Sequence, residues 1–205
     1  PDTGEEKPDD GTRIRTGLDI DFVYNEDVIK GITIPPLKRK EPPAKHEVEQ
    51  IILDSYKDKP KIYYLPQDAA YWSPQSDTIN IPLREQFKST EDHLDTLFHE
   101  LVHSTGHSSR LDRKDLLENY GDHKDVRARE ELIAEIGSAI LSAMFGVNTN
   151  IENVAAYVQS WKRFLETEPN ALMEAASLAS KAVDHILAGW YSDNPDEEYD
   201  PEKKT

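Results

Sequence analysis

Residues 99–103 read His-Glu-Leu-Val-His, two imidazoles four positions apart with a carboxylate beside the first. On an α-helix residues i and i+4 share a face, so both rings reach one divalent ion while the Glu points next to it. The chemistry this permits is metal-assisted hydrolysis: the ion lowers the pKa of a bound water, and Glu100 takes its proton as general base. The chain has no Cys, so a metal must be held by His and carboxylates, and thiolate clusters, thiol nucleophiles and disulfides are excluded.

A hydrolytic zinc site takes three protein ligands and leaves a fourth position open. Extending the motif to HExxHxxGxxH would supply a third His, and Gly106 does occupy the glycine position, but residue 109 is Ser. Gly106 is read instead as a helix terminator in the left-handed conformation. The other route is a carboxylate from a later helix. Glu131 and Glu135 share one face of a helix predicted over residues 126–145, with Ala134 and Ser138 small enough for close approach, and Glu130 points about 100° away. Glu131 is therefore the expected third ligand and Glu135 the acceptor for a ligand imidazole N–H; the reverse assignment stays open. His107 and Tyr120 are candidate donors to a developing oxyanion, although surface placement is the simpler reading. His46, His93, His123 and His185 have no convergent partners in the sequence.

The elements that must position these residues follow from periodicity. Leu94, Leu97, Phe98, Leu101 and Val102 fall opposite the His pair, so the helix over residues 90–105 buries its back and turns the imidazoles to a cleft. Before it, Val48, Ile51, Ile52, Leu53 and Tyr56 fit a helix ending ahead of Pro60, and residues 61–65 and 78–81 have strand character, separated by a segment that should turn. A small antiparallel sheet is expected, with an edge at residues 77–81 to which an extended substrate can add. After it come helices over 126–145, 154–165 and 171–190, the last presenting Leu172, Ala175, Ala179, Ala182, Val183, Ile186 and Trp190 on one face. The fold class is α+β, a small sheet packed on a helical bundle.

Forty acidic against 24 basic residues give a formal charge of −16, a field that repels phosphate backbones and argues against a nucleic-acid-binding face. Lys38, Arg39 and Lys40 are the exception and read as a solvated linker. No apolar run of membrane-spanning length and no basic-then-hydrophobic leader occurs, so no membrane partner is expected, and the absence of Cys fits a reducing cytoplasm. Residues 1–16 and 192–205 read as disordered tails, 17–43 as the remnant of an N-terminal domain with a Pro-rich linker, and 44–191 as the domain carrying the site.

Further residues are similar to a known family. Tyr71, the run Asp77, Ile79 and Pro82, Phe87, LFHELVHSTGH at 97–107, Arg110, Leu111 and Arg113, REELIAEI at 129–136, Ala156, Tyr157 and Trp161, and Ala175, Ala176, Ala179 and Ala182 together resemble the zincin-like metallopeptidase domain of ArdC-type antirestriction proteins and TraC-type plasmid primases. The resemblance implies a zincin-like fold, His99 and His103 as Zn2+ ligands, Glu100 as catalytic acid/base and a Glu of EELIAE as third ligand. It further implies a place on a mobile genetic element, a peptide or protein substrate, and host defence or restriction proteins as partners. Members usually carry an N-terminal domain associated with single-stranded DNA, and FVYNEDVIKGI at 22–32 looks like its last stretch, so DNA binding is expected only through a domain mostly missing here. Arg127 stands where the family often has Tyr. The alternative expectation is a non-catalytic acidic antirestriction binding module with structural zinc.

Overall fold

The computed structural model describes residues 43–114, 124–147, 168 and 170–194, all within one compact unit, Glu41–Thr205. The expectations for residues 1–42, for the helix at 154–165, for the tail beyond 194 and for Tyr120 and His123 lie outside them. The chain opens with α1 (Lys45–Ser55), which buries Val48 and Ile52 and is followed by buried Tyr56. Three strands follow: β1 (Lys61–Leu65), β2 (Tyr71–Ser73) and β3 (Thr78–Pro82), in the order β1-β3-β2.

The sheet is mixed, which corrects the antiparallel expectation. β2 and β3 form an antiparallel hairpin with Trp72 opposite Ile79, whereas β1 runs parallel to β3 with Ile62 opposite Ile79. The segment 66–77 does more than turn: it carries the chain past β3, lays down the short strand β2 and returns through a bend where Asp77 adopts φ 48°, a left-handed conformation that Asp tolerates. A crossover of roughly a dozen residues is what parallel pairing requires. Because β3 is hydrogen-bonded on both sides, residues 77–81 are not an edge. The edge nearest the His-bearing helix is β2.

Helix α2 (Thr90–Ser104) starts where Ser89 Oγ accepts the Asp92 N–H at 3.0 Å, with Glu91 and Asp92 in the first turn against the positive end of the helix dipole. Leu94, Leu97, Phe98, Leu101 and Val102 are fully buried, as the periodicity requires. Gly106 is not left-handed; among the described glycines only Gly146 has positive φ. Instead α2 ends by tightening, with Gly106 N–H donating to His103 O (3.0 Å) and His107 N–H to Ser104 O (3.1 Å). Helix α3 (Lys124–Met144) ends at that Gly146, φ 65°, where Val147 N–H reaches back to Ser142 O at 2.8 Å.

Helix α4 (Ala171–Ile186) buries Ala175, Ala179, Ala182, Val183 and Ile186, but Leu172, expected on that face, is exposed. The helical stretch breaks at Leu187 and resumes as α5 (Ala188–Asp193), so residues 192 and 193 belong to a helix and not to a tail. Core side chains from α1, the sheet, α2, α3 and α4 form one cluster, the α+β architecture expected. A buried polar knot ties three elements: Glu49 of α1 accepts from Tyr64 OH of β1 (2.5 Å), lies 3.0 Å from His93 Nε2 of α2, and pairs with Arg84.

Candidate metal centre

Packing α3 across α2 brings carboxylates to the histidines. His99 Nε2 and His103 Nε2 lie 3.0 Å apart, and Glu131 Oε2 is 3.3 Å from the first and 3.7 Å from the second. A tetrahedral ion with bonds of about 2.0–2.1 Å requires donor separations of about 3.3 Å. The three atoms therefore bracket the face of such a polyhedron, and they are the one group of metal-ligating side chains that converges among the described residues. Borderline nitrogen donors with one carboxylate and an open side suit a divalent first-row ion. Glu135 Oε1 lies 3.4 Å from His99 Nδ1, on the far side of that ring from Glu131.

Glu130, turned away in the one-face reading of α3, is part of the same assembly. Its Oε1 lies 3.2 Å from His103 Nδ1, and Arg113 donates to both its oxygens, Nε to Oε2 at 2.9 Å and Nη2 to Oε1 at 2.6 Å. Glu130 and Glu131 straddle the line along which α3 meets α2: the first is buried toward His103, the second is 37% exposed toward the cleft. Burial alone would raise the Glu130 carboxyl, but its hydrogen bond to His103 and the Arg113 charge hold it below the usual carboxylate range. Glu131 is likewise lowered, its burial outweighed by hydrogen bonds to the two imidazoles. Glu135 goes the other way, raised by burial and by the charges of Asp95 and Glu131.

Glu100 is buried, and its Oε2 accepts the main-chain N–H of Trp72 at 2.7 Å. In the β2–β3 register Trp72 pairs with Ile79, and its N–H is directed away from β3 to the helix. The strand that supplies this donor is itself tied to the end of α2. Trp72 Nε1 donates to Asp77 Oδ1 (3.1 Å), Asp77 is held by a two-pronged contact from Arg110, and Arg110 Nε donates to Ser104 O (2.8 Å). Asp77 is lowered, with the Arg110 and Trp72 bonds overcoming desolvation.

A cleft of about 330 Å³ separates β2 from the face bearing the three candidate ligands, lined by Ala70, Tyr71, Trp72, Pro74, His99, Glu100, His103 and Glu131. His107 packs its ring edge-on against Trp72 and bonds Ser109 through Nδ1; it is not among the residues lining this cleft. Three residues of the site escaped the sequence reading: Glu130, Arg113 as its partner, and Gly137. A Cβ on Gly137 would lie 2.8 Å from Val102 Cγ2, so its absence is what allows α3 this close to α2. The REE run and the isolated Gly inside a helical pattern were the available signals.

This combination of fold and helix-borne site is that of a zincin domain, and the chain belongs to the zincin-like metallopeptidase family, whose model matches residues 47–178. A DNA primase TraC of Escherichia coli is 39% identical over 168 residues, covering 81% of this chain and 15% of the primase. The Mn(II)-bound crystal structure of the antirestriction protein ArdC from plasmid R388 matches with a TM-score of 0.65 and 33% identity, over 81% of this chain and 60% of that one. The metal-free ArdC structure matches with a TM-score of 0.61 over 82% of this chain. The chain thus spans a small fraction of the primase and somewhat over half of ArdC. No helix among the described residues is long and apolar enough to cross a membrane.

Proposed function

We propose that residues 44–191 form a zinc-dependent peptidase-type hydrolase domain of an ArdC-like antirestriction protein, with His99, His103 and Glu131 as metal ligands and Glu100 as general base. The observation that carries this reading is the convergence of three donor atoms at tetrahedral spacing beside a buried carboxylate, in a cleft whose opposite wall is a strand edge. A bound divalent ion supplies Lewis-acid chemistry, acidifying water and polarising a carbonyl. Glu100, with Oε2 fixed by the Trp72 N–H, has Oε1 to receive the proton and then to return it to the leaving amine. An extended peptide docks along β2, not β3, through main-chain groups of that strand that Glu100 does not engage, and its scissile carbonyl would then face the two imidazoles. Glu135 accepts from His99 Nδ1 and orients that ring.

Zinc is the proposed ion because two imidazoles and a carboxylate are its usual hydrolytic set; the Mn(II) in ArdC makes manganese the competitor, and elemental analysis of purified protein beside His103→Ala decides between them. The antirestriction and primase names of the relatives support a role on a mobile element in the cytoplasm, with host defence proteins as partners or substrates and single-stranded DNA contacted through an N-terminal domain and not through residues 44–191. Glu100→Gln is expected to retain metal and lose cleavage of host-lysate proteins; cleavage surviving in that variant would refute the assignment. The charge of −16 favours a second reading, a non-catalytic acidic module with structural metal. Partner binding that survives Glu100→Gln and His99→Ala, without cleavage by the wild type, would select it.

A further inference from the structure

Resting on the metal-site reading above, we propose that Arg113 and Glu130 are positioning residues for the metal. Together they lock the His103 ring with its Nδ1 hydrogen on Glu130 and its Nε2 lone pair turned to the ion. The geometry supplies each link. An ionised carboxylate only accepts, so the ring nitrogen 3.2 Å from Glu130 Oε1 must carry a hydrogen, and the neutral imidazole that metal ligation requires has just one to give. Nε2 is left bare, facing His99 Nε2 at 3.0 Å and Glu131 Oε2 at 3.7 Å.

Glu130 cannot itself be a ligand, because both its oxygens are engaged by the Arg113 fork and it sits on the Nδ1 side of the ring. Nor is the fork free to drift. Arg113 also donates to Thr105 Oγ1 (2.7 Å), Val102 O (2.9 Å) and His103 O (3.3 Å), the turn of α2 that bears His103. The clamp therefore begins and ends on the ligand's own turn, and its middle member is a carboxylate from α3. Arg113 and Glu130 side chains are 9% and 4% exposed, so water offers Glu130 no comparable partner. A planar fork is what two-point capture of a carboxylate demands, and Lys cannot reproduce it.

The test is the Zn2+ affinity of the full chain, by competition with a chromophoric chelator, for wild type, Glu130→Gln, Arg113→Met and the double variant. Glu130→Gln is expected to weaken binding about 10–100-fold and Arg113→Met about tenfold, with Arg113→Lys between wild type and Arg113→Met. The double variant should match Glu130→Gln within about twofold, because both changes act through one bond. Circular dichroism of each metal-free variant at the assay temperature must show the wild-type folded fraction, so that a fall in affinity is not a fall in folded population. The visible spectrum of the Co2+-loaded variants should match that of Co2+-loaded wild type, since no ligand is removed. Zn2+ affinity of Glu130→Gln within about twofold of wild type, or losses that multiply in the double variant, would overturn the proposal. Failure of the wild type itself to bind Zn2+ would instead bring down the metal-site reading, and the inference with it, and is told apart by appearing before any substitution is made.

Discussion

Replacing Gly137 by Ala tests whether the spacing of α2 and α3 sets the metal site. The added Cβ would lie 2.8 Å from Val102 Cγ2 and 2.9 Å from Cγ1, against an optimal carbon separation of about 3.5–4.0 Å. Val102 is fully buried, and a helical valine has essentially one rotamer, so α3 must retreat by about 0.7 Å to reach ordinary contact. Overpacking of this kind costs about 1–3 kcal/mol, while exchanging Gly for Ala inside a helix returns about 1 kcal/mol. The net loss is about 0–2 kcal/mol, which lowers the melting temperature by up to about 8 °C for a chain of this size. Metal binding at the proposed site should respond more sharply. Glu131 rides on α3 with its oxygen 3.3 and 3.7 Å from the imidazole nitrogens, and binding constellations tolerate displacements of only about 0.5 Å. Zn2+ affinity should therefore fall by about tenfold or more, read by chelator competition beside thermal melts in EDTA. Adding Val102→Ala vacates both Cγ positions and should recover most of the affinity. A Gly137→Ala protein that melts higher and holds Zn2+ as tightly as wild type would show that this contact does not set the gap.

Two further outcomes follow from the same structure. Arg110, 1% exposed, holds Asp77 and the Ser104 carbonyl, so Arg110→Met should cost about 3 kcal/mol, the lower end for a broken buried pair because Asp77 retains water, with Zn2+ affinity nearly unchanged; a denaturant midpoint equal to wild type would contradict it. In the metal-free protein, burial pulls the His103 pKa down, but its bonds to Glu130 and Glu131 and the charges of Glu130 and Glu100 prevail and push it up to about 10 from 6.5. A raised folded-state pKa means stability that is complete below about 6.5 and lost as pH climbs through about 10. EDTA-treated protein should therefore melt lower with each step across that window, and a flat profile would rule out a charged ring.

Much of the site was legible because it is local. The i, i+4 spacing of His99 and His103 and the apolar back of α2 are properties of one helix, and a helix carries its geometry in its sequence. Glu131 was within reach of the same logic applied to α3. Glu130 was not, since a single-face argument asks which residues align with one another, whereas two residues flanking the contact line can serve neighbouring turns of the opposing helix. Strand β2 has only three residues, too few for alternation to register, and it lies in a stretch rich in turn formers. Which strand becomes the edge depends on the crossover past β3, a tertiary event without a local signature. Gly106 was misread for a related reason: a glycine after a helix suggests a left-handed cap, but the loop at 105–113 folds back, with Leu111 N–H on Thr105 O and Arg113 N–H on Gly106 O, and satisfies those carbonyls without one.

The tether on Glu100 comes from a peptide group and not from a side chain. Nineteen of the twenty amino acids at position 72 would still present that hydrogen, and only an imino acid deletes it. Drift in the residue lining the cleft can thus reshape what the cleft accepts while the carboxylate proposed to handle the proton keeps its anchor, so selectivity and chemistry would be free to evolve separately at the same strand.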